Sequence, residues 1–199
     1  MQPSTAPLVT AASQPLARLV RDLCAVGDLR RHASRVGALI QRVTLRIEPL
    51  LPALAFRRDG YARTRVWRDD GFELLLLTWA AGAAAPVHDH DGQDCWFVPL
   101  TGAFDLDDYA LLDDEPAVAT QAGRARLTFL RSRRHGPGDV DRRDAYDSVH
   151  AVRAATPQAI SLHVYARPIE RCRVFDLERG SWQRRRIRCD AEALFIAGG

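Results

Sequence analysis

Apolar positions change their spacing once along this chain, near residue 56. Before it, Leu16, Leu19, Val20 and Leu23, then Val36, Leu39, Ile40 and Val43, recur at three- and four-residue intervals. That interval lines one face of a helix, so the segment predicts two or three amphipathic helices, which Pro49 and Pro52 close. After Phe56, short apolar runs alternate with Gly, Pro and Asp turns, the pattern of an all-β sandwich or barrel. Strands are predicted at 62–67, 72–79, 87–90, 95–101, 103–110, 124–130, 149–153, 160–166 and 171–177. So many strands favour closure into a barrel, because closure removes exposed edges. The arginine-rich stretch 131–138 reads as a turn carrying solvated charge.

Residues 1–13, rich in Ala, Ser, Thr and Pro, are expected to be a flexible N-terminus. Residues 14–199 are read as a single domain, with a helical segment at 14–55 and a β-barrel at about 56–180. The chain has 199 residues and is 47% hydrophobic, enough to bury a core of that size.

Charge and cysteine content remove several function classes. The chain contains no Lys, and its 28 arginines against 25 acidic residues leave a net charge of +3 spread along the sequence. No nucleic-acid partner is expected from so dispersed a charge. Cys24, Cys95, Cys172 and Cys189 form no CxxC pair, which argues against a disulfide scaffold and for a reducing, cytoplasmic compartment. No membrane association is expected, since no apolar run approaches a span and the start lacks a basic segment leading into one. A monomer is expected.

The candidate chemistry begins between Gly82 and Gly102, where five residues lead to His88-Asp89-His90, four more to Cys95 and six more to Gly102. Two histidines two apart on a strand project their rings from one face, which makes a metal-site seed. His150, at the start of a late predicted strand, is the best third ligand. Three neutral imidazoles without a carboxylate leave coordination positions open for substrate. Ligand type alone leaves Zn, Fe, Mn, Ni and Cu open. His135, beside Gly136-Pro137-Gly138, reads as a surface-loop residue and His32 as a bystander. Ser161, His163 and Tyr165 alternate along one strand and so share a face. On an inward barrel face they would satisfy one another as a hydrogen-bonded relay.

The glycine and histidine spacing resembles the first motif of the cupins, small β-barrel proteins in which the position of Cys95 is normally Glu. Together with Tyr61-Ala62-Arg63 and Ser161-Leu162-His163-Val164-Tyr165, the motif more closely resembles the cysteine dioxygenases, a thiol dioxygenase family. The resemblance covers residues 61–176 and suits the helical segment before them. It implies a mainly β fold, a cupin (double-stranded β-helix or jelly-roll) barrel preceded by N-terminal α-helices.

It also implies an iron(II) enzyme that oxidises the thiol of L-cysteine with O2 to the sulfinic acid, with His88, His90 and His150 as metal ligands. Arg63 would anchor the substrate carboxylate and Tyr61 would add a hydroxyl contact. Arg65 shares that strand face but lies at the wrong distance from His88 for the family pattern. Tyr165, supported by His163 and Ser161, would act near the metal, joined to Cys95 by a thioether crosslink. In this pattern His163 is not a ligand. One departure is Ala166-Arg167-Pro168, where vertebrate-type members carry Ser-Pro-Pro. It makes Arg167 a second candidate for the carboxylate and keeps 3-mercaptopropionate open as the substrate. A metal-binding cupin acting as a non-catalytic small-ligand sensor is the alternative of another class.

Overall fold

The computed structural model describes residues 14–114, 121–145 and 148–193. Residues 1–13, expected to be flexible, lie outside them. The predicted helices form as α1 (Gln14–Cys24) and α2 (Ala33–Gln41), followed by a 3-10 turn at Glu48–Ala53. Leu16, Leu19, Val20 and Leu23 are all buried on one face of α1, as are Val36 and Ile40 on α2. Pro49 and Pro52 fall inside the 3-10 turn and not after it. So short a turn has few interior N–H donors for proline to remove. No helix among the described residues is long and apolar enough to cross a membrane.

The strands are β1 (Tyr61–Arg68), β2 (Glu73–Trp79), β3 (Ala84–His88), β4 (Cys95–Thr101), β5 (Phe104–Asp114), β6 (Ala122–His135), β7 (Asp141–Arg143), β8 (Val149–Ala154), β9 (Ala159–Tyr165), β10 (Arg171–Asp176), β11 (Ser181–Arg186) and β12 (Ala191–Glu192). One six-stranded sheet has the order β12-β1-β2-β9-β4-β7, and the other six strands close on themselves as β10-β11-β6-β5-β8-β3. Closure is completed where Val174 of β10 pairs with His88 of β3. The fold is mainly β, a closed barrel and a second sheet with helices ahead of them, as the cupin resemblance implies.

Strands β2, β9 and β4 separate two cores, and this division positions the site. Their alternate residues Leu74, Leu76, Trp96, Val98, Ile160, Leu162 and Val164 join the helices in one apolar cluster. The intervening Leu75, Leu77, Cys95, Phe97 and Tyr165 face a second cluster with Phe104 and Leu106. Every residue of β2 and β9 is buried, which explains the unbroken leucine run at 74–77. A strand covered on both faces shows no polar alternation. Polar side chains on the barrel face of β9 are therefore held away from water, where they must find partners.

Strand β6 corrects the reading of 131–138 as a turn: the strand continues through His135, and its arginines are paired across it. Arg131 meets Asp108 at 2.9 Å, Arg133 meets Asp108 and Asp141 at 3.1 Å, and Arg134 meets Asp105 at 2.8 Å. His135 ends this strand with only 12% of its side chain exposed, so it is not a surface-loop residue. His32 is exposed, as expected. Strands β7, β11 and β12, absent from the predicted set, carry the β structure on to Glu192.

Gly102, in the turn from β4 to β5, has φ of 73°, and a Cβ there would lie 2.5 Å from Thr156 Oγ1 and 3.0 Å from Ala159 Cβ. Gly102→Ala is expected to cost about 2 kcal/mol, because left-handed backbone and crowding act together. An unchanged urea midpoint would contradict this.

Candidate metal centre

His88 is the last residue of β3 and pairs in register with His150 of β8. His90 lies beyond the strand, in contrast to the expectation of two rings on one strand face. The carboxylate of Asp89 between them turns outward, accepting from the Arg173 backbone N–H at 2.8 Å and from its Nε at 2.6 Å. Asp91 and Gly92, both at positive φ, then bend the chain back so that the His90 ring returns to the cluster. His88, His90 and His150 each place one ring nitrogen within 4.8 Å of the others.

Burial holds all three imidazoles below their ordinary pKa, most strongly at His90 and His150, where neighbouring histidines add to it. They are therefore neutral donors. His88 Nδ1 lies 2.8 Å from the Pro86 carbonyl; a carbonyl only accepts, so Nδ1 carries the proton and Nε2 keeps its lone pair. The Nε2 atoms of His90 and His150 meet at 3.3 Å. Two buried imidazoles facing each other in this way must share a proton or a cation. The donor set fits a divalent transition metal.

A cavity of about 440 Å³ opens onto the cluster, lined by Tyr61, Arg63, His88, His90, Tyr165 and Cys172 among others. Arg63 is 9% exposed, and its Nε and Nη2 are buried without an acceptor. Its guanidinium carbon lies 5.9 Å from the centre of the Tyr165 ring. Arg65 differs: its guanidinium is bound to Glu73 at 2.9 Å and to Glu192. The Tyr61 ring stacks on Trp79 with centroids 4.6 Å apart. Arg167 is exposed, interacts electrostatically with Asp28 and does not line this cavity.

Cys95 of β4 stands directly opposite Tyr165 of β9. Its thiol is 1% exposed, burial pushes its pKa up to about 12, and it hydrogen-bonds with the Tyr165 side chain. Burial likewise raises the Tyr165 phenol well above its usual range. On the other side, Cys95 is opposite Arg143, whose guanidinium binds Asp141 and Asp108. This buried ion cluster is invisible to motif reasoning, and its signal is the alternation of Asp141 and Arg143 along β7.

Ser161 Oγ lies 2.9 Å from His163 Nε2 and accepts from Trp79 Nε1 at 2.9 Å. The Trp79 N–H can only donate, so one lone pair of Ser161 Oγ is committed to it, and the hydroxyl shares a second hydrogen bond with His163 Nε2. The rings of His163 and Tyr165 stack with centroids 6.2 Å apart. Trp79 was not among the predicted site residues; its signal is an indole at the end of a fully buried strand, where its N–H needs a partner.

Burial pushes His163 down to about 3, against roughly 6.5 for a free imidazole. Because the folded value is the lower one, stability present above about pH 6.5 is lost as pH falls towards 3. The urea midpoint is expected to be lower at pH 5 than at pH 7. A midpoint that rises on acidification would show that His163 is not buried neutral.

A family model described as "Cysteine dioxygenase type I" matches residues 32–178. Cysteine dioxygenase type 1 of Homo sapiens is 28% identical over 142 residues, covering 67% of this chain and 65% of that protein. The protein of that name from Rattus norvegicus is 30% identical over 137 residues (64% and 62%), and that from Danio rerio 29% over 125 residues (61% and 60%). The matches thus span less than two thirds of each relative's length. Among solved structures, a cupin superfamily protein from Desulfitobacterium hafniense aligns with a TM-score of 0.44 at 16% identity, covering 60% of this chain and 89% of that one. KdgF from Halomonas sp. aligns with a TM-score of 0.41 at 18% identity (55% and 80%).

Proposed function

With its residues 32–178 matched by that model, the chain belongs to the cysteine dioxygenase type I family, and from that premise we propose that it is an iron(II)-dependent thiol dioxygenase converting L-cysteine and O2 to cysteine sulfinic acid. One observation carries the proposal: a buried arginine with two unpartnered donors shares a cavity with three neutral imidazoles. Iron(II) held by His88, His90 and His150 would supply the redox chemistry between thiol and O2.

The remaining tasks fall to the chain's own residues. Arg63 would take the substrate carboxylate in two parallel hydrogen bonds, for which its Nε and Nη2 are available. Tyr61, rigid against Trp79, would offer a hydroxyl to the same group. Tyr165 remains a protonated phenol at neutral pH and would donate a hydrogen bond to charge developing at the substrate. Its orientation would be held by Cys95 opposite it and by the His163 ring, itself fixed through Ser161 and Trp79. We assign Cys95 a thioether to Tyr165, formed by two-electron oxidation with O2 as the acceptor, in which the thiol S–H and a ring C–H break and a C–S bond forms. Their register partnership and thiol–phenol contact support this.

Oxygen uptake by iron-loaded protein on adding L-cysteine is the test. A sensor cupin would consume none, and a clear rate preference for 3-mercaptopropionate would overturn the choice of substrate. Intact mass reports the crosslink as a deficit of two hydrogens.

A further inference from the structure

The arginines of the chain are not evenly placed once the fold is formed. In the whole sequence 28 arginines face 25 acidic residues, yet among the described residues the cavity beside the imidazoles is lined by Arg57, Arg63, Arg185, Arg186 and Arg188 against Asp190 alone. Asp190 is already engaged, by Arg57 and by the backbone N–H of Arg63. Glu170, which Arg186 also faces, is held by Arg68 at 2.7 Å. Arg185, Arg186 and Arg188 are exposed at the mouth, and Arg185 is opposite Cys172, a buried wall residue, in the β10–β11 pairing. A second cavity of about 640 Å³, also reaching His90, has two arginines, Arg173 and Arg184, against Asp89 and Asp91. Positive potential therefore marks one entrance to the imidazole cluster and not the other.

We propose that Arg185, Arg186 and Arg188 form an anion subsite at the mouth of the cavity, one that holds the sulfinate product. The assignment of product rests on the thiol dioxygenase reading. In that reaction R–SH and O2 give R–SO2⁻ and H⁺: the S–H and O–O bonds break and two S–O bonds form. Sulfur loses four electrons, and O2 gains four. Whatever the thiol acid, the product carries one more negative charge than the neutral thiol that entered. A positive rim discriminates by that added charge, binding product more tightly than substrate and giving product inhibition that salt relieves.

Calorimetric titration of the full chain with cysteine sulfinate, and anaerobically with L-cysteine as the zwitterionic control, tests this without turnover. Raising salt from about 0.02 to about 0.3 M is expected to weaken sulfinate binding roughly fivefold and cysteine binding much less. In the Arg185→Ser/Arg186→Ser/Arg188→Ser chain the salt dependence of sulfinate binding should disappear. A Gln triple variant, which keeps part of each stem, repeats the test if the Ser chain fails to fold. Sulfinate binding that ignores salt in the wild type, or keeps its salt dependence in the variant, would overturn the subsite. Oxygen uptake separates the two ideas: a salt-sensitive anion subsite in a chain that consumes no O2 would leave the rim standing and remove the dioxygenase.

Discussion

Arg63→Met is expected to make the protein more stable and, at the same time, to lower kcat/KM for L-cysteine by roughly 100- to 1,000-fold. Both effects have one origin. The Arg63 guanidinium is desolvated, and its Nε and Nη2 have no acceptor. The guanidinium touches the Tyr165 phenol and the Cys189 thiol, but two of its donors are filled only when a ligand arrives, so replacing it with an apolar side chain of similar length should return part of the roughly 1–4 kcal/mol gained when buried charges give way to apolar packing. On the proposed function those two donors would take the substrate carboxylate, so the substitution would remove both charge and fork geometry. Arg63→Lys should not restore activity, since an ammonium lacks two parallel donors. Cysteamine, a thiol without a carboxylate, is the internal control. Its slow turnover should be similar in wild type and variant. Melting temperature with steady-state rates for both thiols decides the matter. A lower melting temperature with equal losses for both would assign Arg63 a structural role only.

How far the sequence could be read depended on what made each element. Helix α1 and strands β2, β4 and β9 are built by apolar burial, and burial leaves a period in the sequence. Strand β11, Ser-Trp-Gln-Arg-Arg-Arg, has no such period: it exists because β10 pairs it along its whole length and β6 along part of it. The same holds for Asp141–Arg143, where ion pairs to Asp108 and within the strand take the place of apolar contacts. The arginines of β6 look like a solvated turn until their carboxylate partners on β5 are in view.

The site divides in the same way. Spacing alone was enough to nominate His88 and His90, and a place at the start of a late strand nominated His150, although His90 arrives by way of a turn and not from the strand. Strand alternation puts Arg63 and Arg65 on one face, and only the distance to His88 in the family pattern favours Arg63, without a physical reason. Glu73 and Glu192 supply that reason by engaging Arg65, and both come from other strands. Trp79 and the arginines at the cavity mouth were missed for the same reason. Each acquires its meaning from a neighbour distant in sequence: Trp79 from Ser161, Arg185 from Cys172. Residues that define a site through local spacing are visible early; residues that tune it through pairing across strands are not.

The two buried histidines His150 and His163 provide the sharpest test of the metal centre, because they look alike by burial and differ in their partners. His150→Ala is expected to lower iron affinity by more than about 100-fold and to abolish oxygen uptake, since two imidazoles replace three in the donor set. His163→Ala should keep full iron content, because its Nε2 is committed to Ser161 at 2.9 Å and its ring lies outside the cluster of three. Its cost should appear in turnover, through a Tyr165 ring that has lost its stacking neighbour, and in stability, through a buried Ser161 hydroxyl left without its His163 partner. Metal analysis after dialysis, alongside oxygen uptake, separates the variants. Full iron content in His150→Ala would remove it as a ligand, and loss of iron in His163→Ala would place the metal elsewhere in the barrel.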